Sequence, residues 1–195
     1  MKTTKHFGKT ASHYEDTRSK GILGRIVHKE TTLVLKHLNI QKEESILDAG
    51  CGSGHYSLLI TQQKGRPYGI DFSQEMITEL KKKNLHGEIA DLEHFSLSNT
   101  FDKILCAGAL EFLNKPEKTL SLFHHHLKEK GILVLLYPRI SPGSIIYKSY
   151  HFFHSINIHL FTKKEIETLL KNTGFKILHH EKASINCSVL TAIKQ

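Results

Sequence analysis

Short apolar runs alternate with amphipathic stretches along most of the sequence. The strongest apolar run, opened by glycine, covers 131–137, and its continuity is typical of a strand buried on both faces. Six further strands are predicted at 45–49, 67–70, 87–90, 103–107, 175–179 and 185–193. Helical periodicity predicts helices at 22–38, 55–63, 73–83, 117–129 and 162–172.

This alternation predicts an α/β fold with a Rossmann-like, doubly wound and largely parallel sheet. The last two predicted strands follow each other without an intervening helix, so we expect them to form an antiparallel hairpin at the sheet edge. Ser73 and Thr162 are predicted N-caps, and Glu165 completes a capping box with Thr162. Because the sequence contains no internal repeat and no low-complexity linker, we expect a single domain over 1–195.

Two segments fall outside the alternation. Residues 1–20 are polar and aromatic, and residues 138–161 hold two of the four prolines and many aromatic side chains. A segment as long as the second is usually a lid or a binding loop. Its apolar residues at 145–153 suit either peripheral contact with a membrane surface or a lid whose apolar face packs on the sheet.

Composition narrows the class of protein. Apolar residues make up 39% and charged residues 24% of the chain, which is typical of a globular domain. No apolar run approaches the roughly 20 residues of a membrane-spanning helix, and the first residues do not resemble a signal peptide. Three widely spaced cysteines argue against a disulfide scaffold, so we expect a cytoplasmic protein.

The chain is basic, with 27 Lys and Arg against 19 Asp and Glu, a formal charge of +8. The lysines are spread along the sequence, and the run at 81–83 lies where a helix is expected to end and complements its dipole. No nucleic-acid recognition motif accompanies the charge, so a nucleic-acid partner is not expected.

A glycine-rich motif, ILDAGCGSG, follows the first predicted strand and leads into a helix. Glycines suit a turn with positive φ in which a ligand lies against the backbone. The spacing of Gly50, Gly52 and Gly54 differs from the G-x-G-x-x-G of dinucleotide binders, which speaks against a nicotinamide oxidoreductase. Asp48 precedes the turn, and an acidic group there suits a ligand with positive charge, such as an α-amino group or a sulfonium.

Further candidate ligand contacts follow the second and third strands. Asp71 lies 21 residues after Gly50, a distance at which a carboxylate can accept hydrogen bonds from both hydroxyls of a ribose. Phe72 is placed to pack on an adenine, and Asp91 to accept a hydrogen bond from an exocyclic amino group. The alternative for Asp71 is a solvated residue that caps the next helix.

Taken in order, these motifs resemble the class I S-adenosylmethionine-dependent methyltransferases, in particular the ubiquinone- and menaquinone-biosynthesis-like branch (methyltransferase type 11). The resemblance covers most of the chain: GIDFSQEMI is similar to the second motif, IADLEHF to the adenine-binding stretch, and FDKILCAGALEFL to the fourth-strand motif. HFGKTASHYEDTR resembles the segment that covers the cofactor in this branch.

The resemblance implies a seven-stranded sheet of order 3-2-1-4-5-7-6 with the last strand antiparallel and helices on both faces. It implies S-adenosyl-L-methionine as cofactor and S-adenosyl-L-homocysteine as product. The implied cofactor-binding residues are Tyr14, Arg18, Asp48, Ala49, Gly50, Cys51, Gly52, Gly54, Asp71, Phe72, Met76, Ala90, Asp91, Leu92, Ala107 and Leu110.

Methyl transfer from a sulfonium is an in-line displacement that depends mainly on alignment, and a base is needed only if the acceptor must lose a proton. The candidate catalytic residues outside the cofactor site are Glu111, Tyr137 and His151, and for each the alternative is a structural role. No metal is expected, because the successive histidines at 124–126 splay around a helix.

The acceptor is expected to be a small molecule. The fourth strand lacks the N/D-P-P-Y/F tetrad of amino-methyltransferases, and the length leaves no room for an added RNA-binding domain. The aromatic segment suits an apolar or lipid-like acceptor. The alternatives are a non-catalytic cofactor-binding protein and an RNA-directed methyltransferase.

Overall fold

The computed structural model describes residues 21–153 and 156–195. The strands are β1 (Ser45–Ala49), β2 (Arg66–Asp71), β3 (Gly87–Ile89), β4 (Phe101–Ala107), β5 (Leu127–Pro138), β6 (Phe175–Lys182) and β7 (Cys187–Lys194). The helices are α1 (Gly21–Leu38), α2 (His55–Gln62), α3 (Gln74–Lys82), α4 (Pro116–His126), α5 (Pro142–Phe153) and α6 (Lys163–Asn172), with a 3₁₀ turn at Leu110–Phe112.

The seven strands form one sheet of order β3-β2-β1-β4-β5-β7-β6. Strand β7 runs antiparallel to both β5 and β6, whereas the other neighbouring pairs are parallel. The predicted fold, strand order and terminal hairpin are therefore confirmed.

Helices cover both faces of the sheet because the central strands are apolar on both faces. In β5, Leu133 and Leu135 join the core beneath α4 and α6, whereas Val134 and Leu136 join the core beneath α1 and α2. This alternation follows from the two-residue period of a strand and explains the uninterrupted apolar run of β5.

The predicted helix at 117–129 is too long at its end. Helix α4 ends at His126, and β5 begins at Leu127, which is buried and pairs with Phe101 of β4. Lys130 has a φ of 60°, which a helix cannot accommodate. Strand pairing and burial of Leu127 thus override the local helix propensity of this stretch.

Two predicted helix caps are confirmed. The Ser73 hydroxyl accepts a hydrogen bond from the Met76 N–H at 3.3 Å. Thr162 and Glu165 form the complete capping box at the start of α6. These local signals fix where α3 and α6 begin.

The segment 138–161, expected to be a lid or binding loop, contains a helix. Pro142 opens α5, and the Ser141 hydroxyl accepts a hydrogen bond from the Ser144 N–H at 3.1 Å, as an N-cap does. The helix was missed because its buried positions are polar, so the usual apolar periodicity is reversed.

Candidate functional site

The glycine-rich turn after β1 is built from left-handed backbone. Gly50, Gly52 and Gly54 have φ values of 76°, 53° and 90°. A Cβ on Gly50 would lie 2.4 Å from the Cβ of Ala109, so no side chain fits there. The turn consequently presents bare backbone at the carboxyl end of β1, as the sequence predicts.

Asp71, at the end of β2, is joined to this turn. One carboxylate oxygen accepts a hydrogen bond from the Gly52 N–H at 2.9 Å, and the other accepts one from the Ser73 N–H at 2.9 Å. The side chain is buried, and burial raises the pKa of Asp71. Asp71 is therefore not a solvated capping residue, although it does bind the N–H of the residue that caps α3.

Asp48 lies behind the turn and is almost completely buried. Its carboxylate accepts a hydrogen bond from the Ser57 hydroxyl at 2.6 Å. Burial raises the pKa of Asp48 to about 6, and the neighbouring charge of Asp71 adds to the shift. Above that pH the Asp48 carboxylate places negative charge beneath the turn.

A cavity of about 920 Å³ opens over the turn, close to the upper end of the roughly 300–1,000 Å³ range of ligand pockets. The predicted cofactor residues that line it are Gly50, Cys51, Gly52, Asp71, Phe72, Met76, Asp91, Leu92 and Ala107. The predicted residues that lie outside its wall are Asp48, Ala49, Gly54, Ala90 and Leu110. Tyr14 and Arg18 fall outside the residues that the structure describes.

One end of the cavity combines apolar side chains with a carboxylate. Phe72 is partly exposed, whereas Met76 and Leu92 are buried. The exposed Asp91 carboxylate accepts hydrogen bonds from the Glu93 N–H and the His94 ring, both at 2.9 Å. This end has the flat apolar surface and the acceptor groups that suit a purine.

The opposite wall comes from α1 and α2, which the sequence analysis did not assign to the site. Glu30 and Thr31 of α1 are buried polar residues on this wall. The Thr31 hydroxyl lies 3.4 Å from His55 Nε2 of α2. The signal for this wall in the sequence is the pair of polar residues that interrupts the apolar stripe of α1.

Glu30 lies next to β7. Burial raises the pKa of the Cys187 thiol, and the Glu30 carboxylate, which is within hydrogen-bonding reach, raises it further. Cys187 pairs with Pro138 at the end of β5. Glu30 therefore lines the cavity and places its carboxylate near Cys187 of β7.

The three catalytic candidates lie elsewhere: among the described residues, none of Glu111, Tyr137 and His151 is on the cavity wall. Glu111 is buried in the 3₁₀ turn next to the lining residue Phe112. The buried His151 ring packs edge-on against Phe112, with ring centres 5.7 Å apart.

Tyr137 is buried in the core, and its hydroxyl donates a hydrogen bond to His180 Nε2 at 2.8 Å. His180 Nδ1 in turn donates to Glu167 at 2.7 Å. Burial raises the pKa of Tyr137 further above its usual value. These contacts give Tyr137 a structural setting on the side of the sheet that carries α6.

The histidine run does not form a metal-binding group. His126 Nε2 accepts a hydrogen bond from the Leu97 N–H at 3.0 Å, and its Nδ1 donates to the Leu122 carbonyl at 2.8 Å. His124 packs edge-on against Phe175. Within residues 21–153 and 156–195, no group of three or more His, Cys, Asp or Glu side chains is arranged to hold a metal ion.

No helix in the described part of the chain is long and apolar enough to cross a membrane.

Comparison with known proteins places the chain among methyltransferases. The methyltransferase domain family matches residues 23–180. Malonyl-[acyl-carrier protein] O-methyltransferase of Hamiltonella defensa is 29% identical over 143 residues, which cover 71% of this chain and 52% of that protein. Demethylmenaquinone methyltransferase of Oceanobacillus iheyensis is 26% identical over 133 residues, which cover 62% of this chain and 55% of that protein. The chain spans about half the length of the curated relatives it matches.

Solved structures show the same fold. The crystal structure of magnesium protoporphyrin IX methyltransferase from Synechocystis PCC 6803 with bound SAH matches with a TM-score of 0.77 at 19% identity. The match covers 99% of this chain and 98% of that one. The chain therefore belongs to the methyltransferase domain family and has the fold of the class I S-adenosylmethionine-dependent methyltransferases, as its motifs predict.

Proposed function

We propose that the protein transfers a methyl group from S-adenosyl-L-methionine to a small-molecule acceptor and releases S-adenosyl-L-homocysteine. The observation that carries this proposal is the hydrogen bond between Asp71 and the Gly52 N–H, which fixes a carboxylate beside a bare-backbone turn inside a large cavity. Both groups lie at the carboxyl ends of parallel strands, where open α/β sheets bind ligands. When bound, the donor supplies a methyl group already activated by its positive sulfur.

The proposed donor contacts follow from the wall of the cavity. Each oxygen of the Asp71 carboxylate has remaining acceptor capacity for a ribose hydroxyl. Phe72 and Met76 supply apolar surface for the adenine, and Asp91 accepts a hydrogen bond from its amino group. The remaining described candidates support the turn or the cavity from behind, namely Asp48, Ala49, Gly54, Ala90 and Leu110. Tyr14 and Arg18 stay proposals from the family resemblance.

The charges around the turn favour the donor over the product. The donor carries a positive sulfonium, whereas the sulfur of the product is neutral. Asp48 and Asp71 place negative charge at this end of the sheet, so they stabilise the donor more. Methyl transfer makes the sulfur neutral, so the attraction between the two carboxylates and the sulfonium is lost during the displacement. The main effect of these charges is therefore to discriminate the donor from its product, while the rate enhancement comes from alignment.

An apolar acceptor fits the wall built from α1, α2 and the 3₁₀ turn. The apolar side chains on this wall are Val27, Leu35, Leu59, Phe112 and Leu113. Glu30 is the buried carboxylate among them, and we assign to it the hydrogen bond to the reacting group of the acceptor. If that group must lose a proton, Glu30 accepts it. In this proposal Glu111 and His151 have an indirect role, because they position Phe112 at the acceptor end of the cavity.

An apolar acceptor partitions into lipid, and we therefore propose that residues 145–153 contact a membrane surface peripherally. Neither the malonyl-[acyl-carrier protein] O-methyltransferases nor the demethylmenaquinone methyltransferases among the relatives are named for an RNA acceptor, and the quinone acceptor of the second group supports a small apolar molecule over RNA.

The test is mass spectrometry of a metabolite extract incubated with the protein and a deuteromethyl-labelled donor. We expect a small molecule that gains one labelled methyl group with the wild type and does not gain it with Asp71→Ala. Donor binding without any labelled product would favour the non-catalytic binding protein. Label recovered in RNA instead of small molecules would favour the RNA-directed enzyme.

A further inference from the structure

Helix α5 is amphipathic, but it buries its polar side and exposes its apolar side. The residues that it buries are Ser144 and His151. Ile146, Phe152 and Phe153 are 71%, 69% and 84% exposed. A helix on a globular surface normally buries its apolar side and exposes its polar side.

Hydrogen bonds and ring contacts on the polar side fix this orientation. The Ser144 hydroxyl lies 2.6 Å from the Ser141 hydroxyl and also donates to the Arg139 carbonyl. The His151 ring packs edge-on against Phe112 of the cavity wall and against Tyr147, whose ring centre is 4.5 Å away. Rolling the helix to bury its isoleucines would break these contacts, so the apolar exposure is a property of the folded chain.

The exposed apolar surface extends beyond the helix. The Arg139 N–H donates a hydrogen bond to the Asn186 carbonyl at 2.9 Å, and the Arg139 guanidinium donates to the Ile185 carbonyl at 2.9 Å. These bonds hold the backbone next to the exposed Ile140 against the segment that carries Ile185, which is 69% exposed. The resulting apolar patch consists of Ile140, Ile145, Ile146, Tyr147, Tyr150, Phe152, Phe153 and Ile185.

Such a patch is unusual, because apolar side chains on a soluble surface are normally scattered singly. The exposed apolar side chains outside the patch are of that scattered kind, for example Ile89 on β3 and Leu178 on β6. A helix side with this many exposed apolar side chains is typical of a surface that meets an apolar partner.

The charge around the patch indicates which partner it meets. Residues 138–153 contain Arg139 and Lys148 but no Asp or Glu. Residues 182–188, which contain the turn between β6 and β7, likewise add a lysine and no acidic residue. Isoleucine, phenylalanine and tyrosine on one side of a helix with basic residues nearby are the composition of helices that lie in a bilayer interface. Positive charge adds attraction to anionic headgroups.

We propose that the apolar patch is a docking surface for an anionic lipid bilayer. The helix lies in the plane of the interface, with the phenylalanines and isoleucines among the acyl chains and Lys148 at the headgroups. The purpose of this docking rests on the proposed function: His151 packs against Phe112, so docking brings the acceptor end of the cavity to the bilayer, where an apolar acceptor is dissolved.

The experiment is sedimentation of the full chain with vesicles of phosphatidylcholine and phosphatidylglycerol in a three-to-one ratio, and with vesicles of phosphatidylcholine alone. We expect binding to the anionic vesicles, weaker binding to the neutral ones and partial release by salt. The double variant Phe152→Ser and Phe153→Ser should lower the partition coefficient by at least about tenfold. The matched control, Ile89→Ser with Leu178→Ser, should bind as the wild type does.

Absence of wild-type binding to anionic vesicles, or equal binding by the phenylalanine variant, would overturn the proposal. A concentration-dependent dimer that the phenylalanine substitutions abolish, with no vesicle affinity, would show instead that a second copy covers the patch. Calorimetry with S-adenosyl-L-methionine separates this outcome from failure of the proposed function, because all these variants should keep the donor affinity of the wild type.

Discussion

The Asp71 carboxylate accepts a hydrogen bond from the backbone N–H of Gly52 at 2.9 Å, although Gly52 follows β1 and Asp71 is the last residue of β2. The bond joins the turn after β1 to the end of β2. It holds the carboxylate at the cavity wall without help from a ligand. The geometry that would grip a ribose is therefore part of the folded chain, and no side-chain rearrangement is needed to create it.

Gly50→Ala should be strongly destabilising. The new Cβ would lie 2.4 Å from the Cβ of Ala109, on a residue with a φ of 76°. We expect the free energy of unfolding to fall by about 2–4 kcal/mol in urea denaturation. Gly21→Ala is the control, since its φ is 65° but its Cβ would have no atom of residues 21–153 and 156–195 within 4 Å. It should cost about 1 kcal/mol. Equal losses at the two positions would mean that crowding at Gly50 is unimportant.

Asp48→Asn should stabilise the protein at pH 8. Burial raises the pKa of Asp48 to about 6 in the folded state, from 3.8 when it is free. The protonated carboxyl of Asp48 therefore favours the folded state below pH 4, and this contribution to stability is lost as the pH rises through 6. The asparagine variant avoids burying this charge, so its free energy of unfolding at pH 8 should be higher by on the order of 3 kcal/mol. At pH 4 the difference should shrink toward zero.

Asp102→Asn is the control with the opposite sign. Although partial burial opposes it, the hydrogen bonds from Lys128 and Ser45 lower the pKa of Asp102 to about 2. This carboxylate stabilises the fold above pH 4, and its effect is lost as the pH falls through 2. Asp102→Asn should therefore lower stability at pH 8. If both substitutions changed the stability at pH 8 in the same direction, the environments assigned to Asp48 and Asp102 would be wrong.

The ionisation of Asp48 should also appear in ligand binding. Ionised Asp48 attracts the sulfonium of S-adenosyl-L-methionine but has little effect on the neutral sulfur of S-adenosyl-L-homocysteine. The ratio of the two affinities, measured by calorimetry, should rise at least about threefold between pH 5 and 7.5 and then level off. In Asp48→Asn the ratio should be flat over this range. A flat ratio in the wild type would remove Asp48 from donor discrimination.

Glu30→Gln should separate acceptor chemistry from donor binding. The amide keeps the size of the buried side chain but is a poorer acceptor and cannot take a proton. With the acceptor identified by mass spectrometry, kcat/KM for that acceptor should fall at least about tenfold. Donor affinity should change much less. Glu129→Gln, at an exposed position away from the cavity, should leave both quantities unchanged. Full activity of Glu30→Gln would exclude the role assigned to it.

The sequence predicted best what is set locally. The apolar run 131–137 of β5, the glycine turn and the caps at Ser73 and Thr162 each depend on neighbouring residues, and these appear where they were expected, although β5 itself begins earlier, at Leu127. The predicted end of α4 was wrong because the helix end is set by the pairing of Leu127 with Phe101 of β4, which is distant in the sequence.

The parts that were missed depend on tertiary contacts. Helix α1 was predicted, yet its wall of the cavity was not, because only the packing of α1 beside α2 turns Thr31 toward His55. Helix α5 was missed because its apolar residues face outward, which reverses the periodicity on which helix prediction relies. Tyr137 follows the same rule: the register of β5 directs it into the core beside His180.

The central claim is that Asp71 and the glycine turn hold S-adenosyl-L-methionine, and calorimetric titration of the donor tests it most directly. Asp71→Ala should bind about thirtyfold more weakly than the wild type, a loss of about 2 kcal/mol. Glu79→Ala, at a partly exposed carboxylate on α3 that does not line the cavity, should bind as the wild type does. Circular dichroism should show both variants folded. A wild type that gives no heat of binding, or a folded Asp71→Ala with unchanged affinity, would contradict the account.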